Sequence, residues 1–302
     1  MRCRVFTLLS AVTLLLAACR AGSPPAATGG KLKVVATFSV IGDFAHCVGG
    51  EQIDLTTLVG PGADTHAFMP SPADGAALAQ ASVALENGLG FETWLDDLYH
   101  ASGSQAARVV VTEGVEPLSA KPAPGEFDPH VWHSVAHAIT MVHSIRDALV
   151  KADPANAQTY RAKAGAYIAE LQALDAWVLE QVKTLPSDHR KLVTTHDTFG
   201  YFAQRYGFEV IGAVLPTSTE GASPSAQAIA ALVETVRAAG IPAVFADNVT
   251  SNALLEQVAQ EAGVAVIAVL FTDGLGPDGS EGDTYVRMVR HNVNAIVTAL
   301  GG

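Results

Sequence analysis

Positive charge is scarce in this chain. Eighteen Lys and Arg stand against thirty Asp and Glu in 302 residues, a formal net charge of −12. Nucleic-acid binding calls for a basic stripe or patch, so no nucleic-acid partner is expected. An acidic surface raises the local concentration of cations, but many soluble proteins share that property. Charge of either sign is sparse too, at 16% of residues against 49% hydrophobic, which excludes an intrinsically disordered chain. Cysteine is nearly absent. Cys3, Cys19 and Cys47 cannot make a disulfide framework. Cys47 follows the apolar run Phe38 to Ala45 and reads as a buried, unreactive thiol. Two catalytic signatures are missing as well. Gly-x-Ser-x-Gly, the nucleophile elbow of serine hydrolases, does not occur, nor does the local zinc motif His-Glu-x-x-His.

What is present begins with a targeting segment. Met1-Arg2-Cys3-Arg4 supplies positive charge, and Val5 to Ala18 is an apolar run short for a membrane span, so residues 1–18 read as a signal peptide. The run ends in Leu16-Ala17-Ala18-Cys19, similar to a bacterial lipobox, in which the Cys is lipidated and becomes the mature N-terminus. Ordinary secretion, with Cys19 incidental, is the alternative. Residues 19–30, rich in Gly, Pro, Ser and Ala, then form a tether suited to holding a domain off a membrane. The expected location is the periplasm or the outer face of the cytoplasmic membrane, with Cys19 as anchor.

Beyond the tether, apolar runs alternate with helical stretches. Strands are expected at Lys33–Phe38, Asp54–Val59, Val83–Asn87 and Arg108–Thr112, and again at Lys191–Thr195, Glu209–Val214, Ala243–Ala246 and Ala265–Phe271. Such alternation builds βα units around a mainly parallel sheet, an α/β fold. Between the two sets lies a different stretch. Asp153-Pro154 pairs a cap with Pro at the first helical position. Apolar or aromatic residues then recur in steps of three and four at Tyr160, Ala164, Tyr167, Leu171, Leu174, Val178, Val182 and Leu185, and Pro186 ends the run. A helix over 154–185 would be about 48 Å long, more than a crossover needs. The expected organisation is an N-terminal lobe over 31–152, a linking helix over 153–186 and a C-terminal lobe over 187–302, each lobe with about four strands.

Four polar residues stand where such a fold places its ligands. His66 follows Asp54–Val59 and a Pro-Gly turn, His130 precedes the helix expected near Ser134, His196 ends Lys191–Thr195, and Asp273 lies just past Phe271. Ligands of open α/β sheets bind outside the carboxyl ends of the strands, and two of the four come from each half. Imidazole nitrogen and carboxylate oxygen are donors that zinc accepts, and three His with one Asp fill a tetrahedron. Their spacings carry no local signature, so on this ground alone any single His reads first as a hydrogen-bonded loop residue. His133, His137 and His143 read as solvent-facing or satisfied polar residues, with an accessory site as the alternative. Asp197, next to His196, is a candidate to orient an imidazole or, equally, a local turn or helix cap.

The surrounding segments narrow the choice. Asp128-Pro129-His130-Val131-Trp132, Thr195-His196-Asp197-Thr198-Phe199-Gly200-Tyr201-Phe202 and Phe271-Thr272-Asp273 resemble marker segments of the zinc/manganese solute-binding proteins of bacterial ABC importers. The run Gly62–Pro72, Ser218-Thr219-Glu220-Gly221 and the tail Glu281-Gly282-Asp283-Thr284-Tyr285 are similar to theirs too, in order over residues 31–302. The resemblance implies two βα lobes joined by a rigid helix, a divalent metal held between them by His66, His130, His196 and Asp273, and delivery to a membrane permease. Manganese-selective members place Glu where this chain has His196, which tips the expectation to zinc with manganese as the alternative. Many zinc members also carry a His-rich loop before the second ligand. Here Ser119–Phe127 contains no His, so a metal-gathering loop is not expected.

The resemblance implies no enzyme. The competing readings are a zinc hydrolase, with Asp273 or Glu220 as general base, and a surface adhesin. Hydrolysis predicts turnover, whereas import predicts tight binding without it. A monomer is expected, supplied in some settings by a periplasmic metallochaperone.

Overall fold

The computed structural model describes residues 30–119, 126–215 and 224–301. The signal peptide, Cys19 and the tether up to residue 29, most of the Ser119–Phe127 segment, and Ser218–Gly221 with Glu220 lie outside the described residues.

Two lobes repeat one topology. In the first, β1 (Leu32–Phe38), β2 (Ile53–Val59), β3 (Val83–Glu86) and β4 (Ala107–Val110) form a parallel sheet in the order β2-β1-β3-β4. In the second, β5 (Lys191–His196), β6 (Glu209–Leu215), β7 (Ala243–Asp247) and β8 (Ala265–Leu270) are parallel in the order β6-β5-β7-β8. Parallel neighbours need crossovers, and helices supply them. The helices are α1 (Ser39–Gly49), α2 (Pro72–Gln80), α3 (Leu95–Ser102), α4 (Val135–Ala152), α5 (Ala157–Lys183), α6 (Gly200–Tyr206), α7 (Ala226–Ala239), α8 (Ala253–Ala262) and α9 (Tyr285–Gly301), of which α4 and α5 lie between the two sheets in the chain and α9 follows β8. Central strands covered on both faces are buried without alternation, as Val34 to Phe38 show.

The long helix forms, shorter than the periodicity suggests. Residues Pro154–Asn156 make a 3-10 turn in which Asp153 accepts hydrogen bonds from Asn156 Nδ2 at 2.6 Å and Tyr160 OH at 2.8 Å. The α-helix α5 then runs 27 residues, about 40 Å. Its buried residues are the expected stripe, Tyr160 through Val182. It packs on α1 and α4 of the first lobe and on α6 and α9 of the second, so it is a shared wall rather than a free strut. Asp43 of α1 fastens that wall, accepting from the Tyr285 N–H of α9 at 3.0 Å and from Tyr167 OH of α5 at 3.4 Å. Cys47 on the same helix is half-buried, and burial with the nearby Asp43 carboxylate pushes its thiol up to about 12, an inert group.

Candidate metal centre

Each of the four residues singled out in the sequence reaches the same point from a different connection. After β2 the chain turns through Gly60-Pro61-Gly62, and the Gly62 N–H, at a left-handed φ of 74°, donates to Leu275 C=O of the other lobe at 2.9 Å. Asp64 Oδ1 accepts the His66 N–H at 2.8 Å, and Trp94 Nε1 donates to Thr65 C=O at 2.9 Å, which fixes the height of His66. The His66 ring then stands edge-on to Phe91, with centroids 4.8 Å apart. Phe91 itself belongs to a turn gripped by buried Glu92, which accepts from Thr37 OH and from the Asn87 and Gly88 N–H groups at 2.6, 2.7 and 3.0 Å.

His130 follows a Pro and is held by its own motif. Asp128 Oδ1 accepts the His130 backbone N–H at 2.9 Å and faces ring Nδ1 at 2.7 Å. His196 is the last residue of β5, and its Nδ1 lies 2.9 Å from Asp247 Oδ2. In both rings a carboxylate fixes Nδ1 as the protonated nitrogen and leaves Nε2 to face the cluster. Asp273 lies just past β8 where α9 steadies the chain: Asn292 donates to Phe271 C=O at 2.7 Å and accepts its N–H at 2.9 Å. The next residue, Gly274, permits close approach of the lobes, since a Cβ there would stand 3.3 Å from Ser39 Oγ and 3.5 Å from Ala63 C=O.

All four side chains are buried, and their donor atoms lie within 4.8 Å of one another. His130 Nε2 is 3.3 Å from Asp273 Oδ1, while His196 Nε2 and His66 Nε2 are 3.4 and 3.6 Å from Asp273 Oδ2. A tetrahedral ion with bonds of about 2.05 Å separates its ligand atoms by about 3.3 Å. Moreover, the three Nε2 atoms and both Asp273 oxygens are buried without a hydrogen-bond partner. Five such atoms in one place demand an explanation, and a cation supplies it. Among the described residues no other group of three or more His, Cys, Asp or Glu converges in this way.

Burial dominates the electrostatics. It lowers His66 to about 3, with help from His130 and His196, and holds His130 well below the ordinary imidazole range. It pushes Asp273 up to about 8 and Asp128 to about 7. On His196 burial acts downward as well, but the Asp273 and Asp247 carboxylates outweigh it and hold that imidazole at about 9. Burial also opposes ionisation of Asp247, yet the His196 contact and the Val249 N–H keep its carboxyl below the usual value.

The carboxylate at the His196 ring is that of Asp247, from 51 residues away. One expectation is corrected. His133 is not solvent-facing: the turn Val131–His133 buries its ring against Phe199 at 4.5 Å, with Nε2 lacking a partner. His137 is half-buried against the Tyr201 ring, and His143 hydrogen-bonds Arg146. Asp247 ends β7 at the edge of the sheet where ligands gather, so the strand-end rule that found His196 applied to it equally.

The family described as "Zinc-uptake complex component A periplasmic", ZnuA, matches residues 34–299. The manganese-binding lipoprotein MntA of Halalkalibacterium halodurans is 34% identical over 290 residues, covering 96% of this chain and 95% of its own. The iron-binding protein YfeA of Yersinia pestis is 32% identical over 299 residues, covering 98% and 95%. The solved structure of the periplasmic zinc-binding protein TroA of Treponema pallidum superposes with a TM-score of 0.85 at 33% identity, over 90% of this chain and 100% of that one. The chain belongs to the ZnuA family of metal-binding components of ABC importers, which bind and hand on their substrate and are not enzymes.

Proposed function

We propose that this protein captures a divalent transition metal between its lobes, zinc in preference to manganese, and delivers it to the membrane permease of an ABC importer. His66, His130, His196 and Asp273 are the ligands in this reading. The observation that carries it is the convergence of their buried, unpartnered donor atoms within 4.8 Å of one another. Zinc follows from the donors. Three imidazoles and one carboxylate make a softer set than the oxygen-rich shell that manganese favours. The zinc-binding name of TroA supports that reading, while the names of MntA and YfeA keep manganese and iron as competing cargoes. Asp273 closes the fourth position, which leaves no open site for the activated water of a zinc hydrolase.

The lipobox-like Leu16–Cys19 and the lipoprotein name of MntA support an anchor through Cys19 on the outer face of the membrane. We read the protein as a monomer that takes metal from solution or from a metallochaperone. The test is competitive loading: metal-free protein is offered equimolar zinc and manganese, and bound metal is measured. Zinc should dominate, and preferential manganese loading would overturn the donor argument.

A further inference from the structure

The carboxyl end of β7 contributes no atom to the cluster, yet its last residue touches His196 and the one after it holds both neighbours of Asp273. Asp247 Oδ2 holds His196 Nδ1 at 2.9 Å. Its other oxygen, Oδ1, accepts from Thr272 Oγ1 at 2.9 Å and from the Val249 N–H at 2.7 Å. Asn248 spans Asp273 from both sides, for its Oδ1 accepts the Thr272 N–H at 2.9 Å and its Nδ2 donates to Gly274 C=O at 3.2 Å. The pair is itself fixed from below. Asn252 Oδ1 accepts the Asp247 N–H at 2.8 Å and Thr195 Oγ1 at 2.5 Å, and its Nδ2 donates to Asp247 C=O at 2.9 Å. One short segment therefore grips His196 through its ring, and Asp273 through the backbone on either flank.

We propose that Asp247 and Asn248 form the positioning element that sets His196 and Asp273 at ligand spacing before metal arrives. Neither touches the metal in this assignment. They act through the two residues that do, so the proposal rests on the metal-site reading above. The geometry explains why an Asp, and not an Asn, belongs at 247. An ionised carboxylate offers two acceptor oxygens, one for each side of the hinge, whereas an Asn offers one. It also explains why the second lobe can hold half a site while metal-free: both ligands are tied to one rigid strand end instead of to each other. Groups that orient metal-bound imidazoles carry roughly 10- to 100-fold in affinity.

The experiment measures zinc affinity of the purified chain by competition with a chromophoric chelator, the visible spectrum of the cobalt-substituted protein, and thermal unfolding of the metal-free form. Asp247→Ala and Asn248→Ala should each weaken zinc binding by roughly 10- to 100-fold and change the cobalt band shape. Asp247→Asn, which serves one side only, should fall between the parent and Asp247→Ala; it also stands in if the Ala variant does not fold. In Asp247→Ala/Asn248→Ala the losses should be less than multiplicative, because both act on one hinge. A merely structural role would lower the metal-free melting temperature and leave affinity and the cobalt spectrum of the folded protein unchanged; that result overturns the proposal. His196→Ala and Asp273→Ala separate the two ideas. If they lose zinc while the 247 and 248 variants keep it within about twofold, the positioning role fails and the metal site stands. If they keep zinc too, both fail.

Discussion

The indole N–H of Trp132 donates to the backbone carbonyl of Thr272 at 2.9 Å, joining a residue two places after His130 to one immediately before Asp273. The bond is buried and crosses between the lobes, and Tyr285 OH closes the chain by donating to Trp132 C=O at 2.6 Å. It ties the segment after His130 to the second lobe without passing through the four clustered side chains. Trp132→Phe keeps much of the ring packing against Phe38 and Phe91 but removes the donor. The buried Thr272 carbonyl then lacks its partner, a loss of about 1–3 kcal/mol. Urea unfolding of the metal-free protein should register it. Zinc affinity should fall as well, because unsupported Asp273 must be ordered during binding.

How much of this was legible in the sequence follows from what sequence can encode. The apolar runs and the three-and-four stripe of α5 are local periodicities, and they placed eight strands and the long helix within a few residues. The ends were blurred where side chains and not periodicity decide them: Asp153 holds a 3-10 turn over Pro154–Asn156 that periodicity cannot distinguish from helix. The four clustered residues are legible because strand ends and marker segments both point at them. The ring-orienting groups are not. Asp247 meets His196 only because β5 and β7 are neighbours in the second sheet, a pairing between distant segments that no window contains. Sequence adjacency does not find it either, because successive side chains at a strand end point to opposite faces.

Asp273 carries a cost in the metal-free protein. It is fully buried, and neither of its carboxylate oxygens has a hydrogen-bond partner. Residues retained for binding at the expense of stability are a general source of stability–function trade-offs. Asp273→Asn should therefore raise the stability of the metal-free protein by about 1–3 kcal/mol. It should also abolish most of the zinc-induced rise in melting temperature. Calorimetry with and without zinc reads both effects. A variant that melts lower without metal, or keeps the full zinc shift, would remove Asp273 from the ligand set.

Acid should compete with metal in a defined window. His196 and Asp273 stand 3.4 Å apart and titrate as a coupled pair. Burial raises Asp273 from 3.8 to about 8, and the two carboxylates raise His196 from 6.5 to about 9 against its burial. Both folded values lie above the unfolded ones. Their contribution to metal-free stability is thus complete at low pH and is lost as pH rises through about 8 to 9. His66, lowered by burial to about 3, works the other way: its contribution is complete above 6.5 and fades as pH falls toward 3. Between 6.5 and 9 the pair governs. Zinc displaces the protons that the pair holds, so affinity should climb by at least about tenfold per pH unit up to about pH 8. The gap in melting temperature between loaded and metal-free protein should widen over the same range. Zinc affinity measured from pH 6 to 9 checks this, and a flat profile contradicts it.

Metal loading and release require a door, and the loop from Pro61 to Met69 has the attachments of one. It carries His66, its tip residue Met69 is 87% exposed, and it touches the second lobe through the Gly62 N–H on Leu275 C=O. Leu275 in turn donates its N–H to Ser39 Oγ at 2.9 Å, so the loop, α1 and the segment after Asp273 meet at one seam. At its far side the loop hangs from Trp94 through Thr65. If His66 swings away when metal is absent, the Gly62 bond breaks with it, while the Trp94 attachment serves as the pivot. Binding that favours the closed arrangement must then protect the Gly62 and His66 amides from exchange by the free energy it adds to closure. Hydrogen exchange over 61–69 should slow by at least about tenfold on zinc loading, equivalent to about 1.4 kcal/mol of added closure. The α5 amides, already within a packed wall, should change far less. Rates over 61–69 that are equally slow with and without zinc would mean that the metal enters by another route.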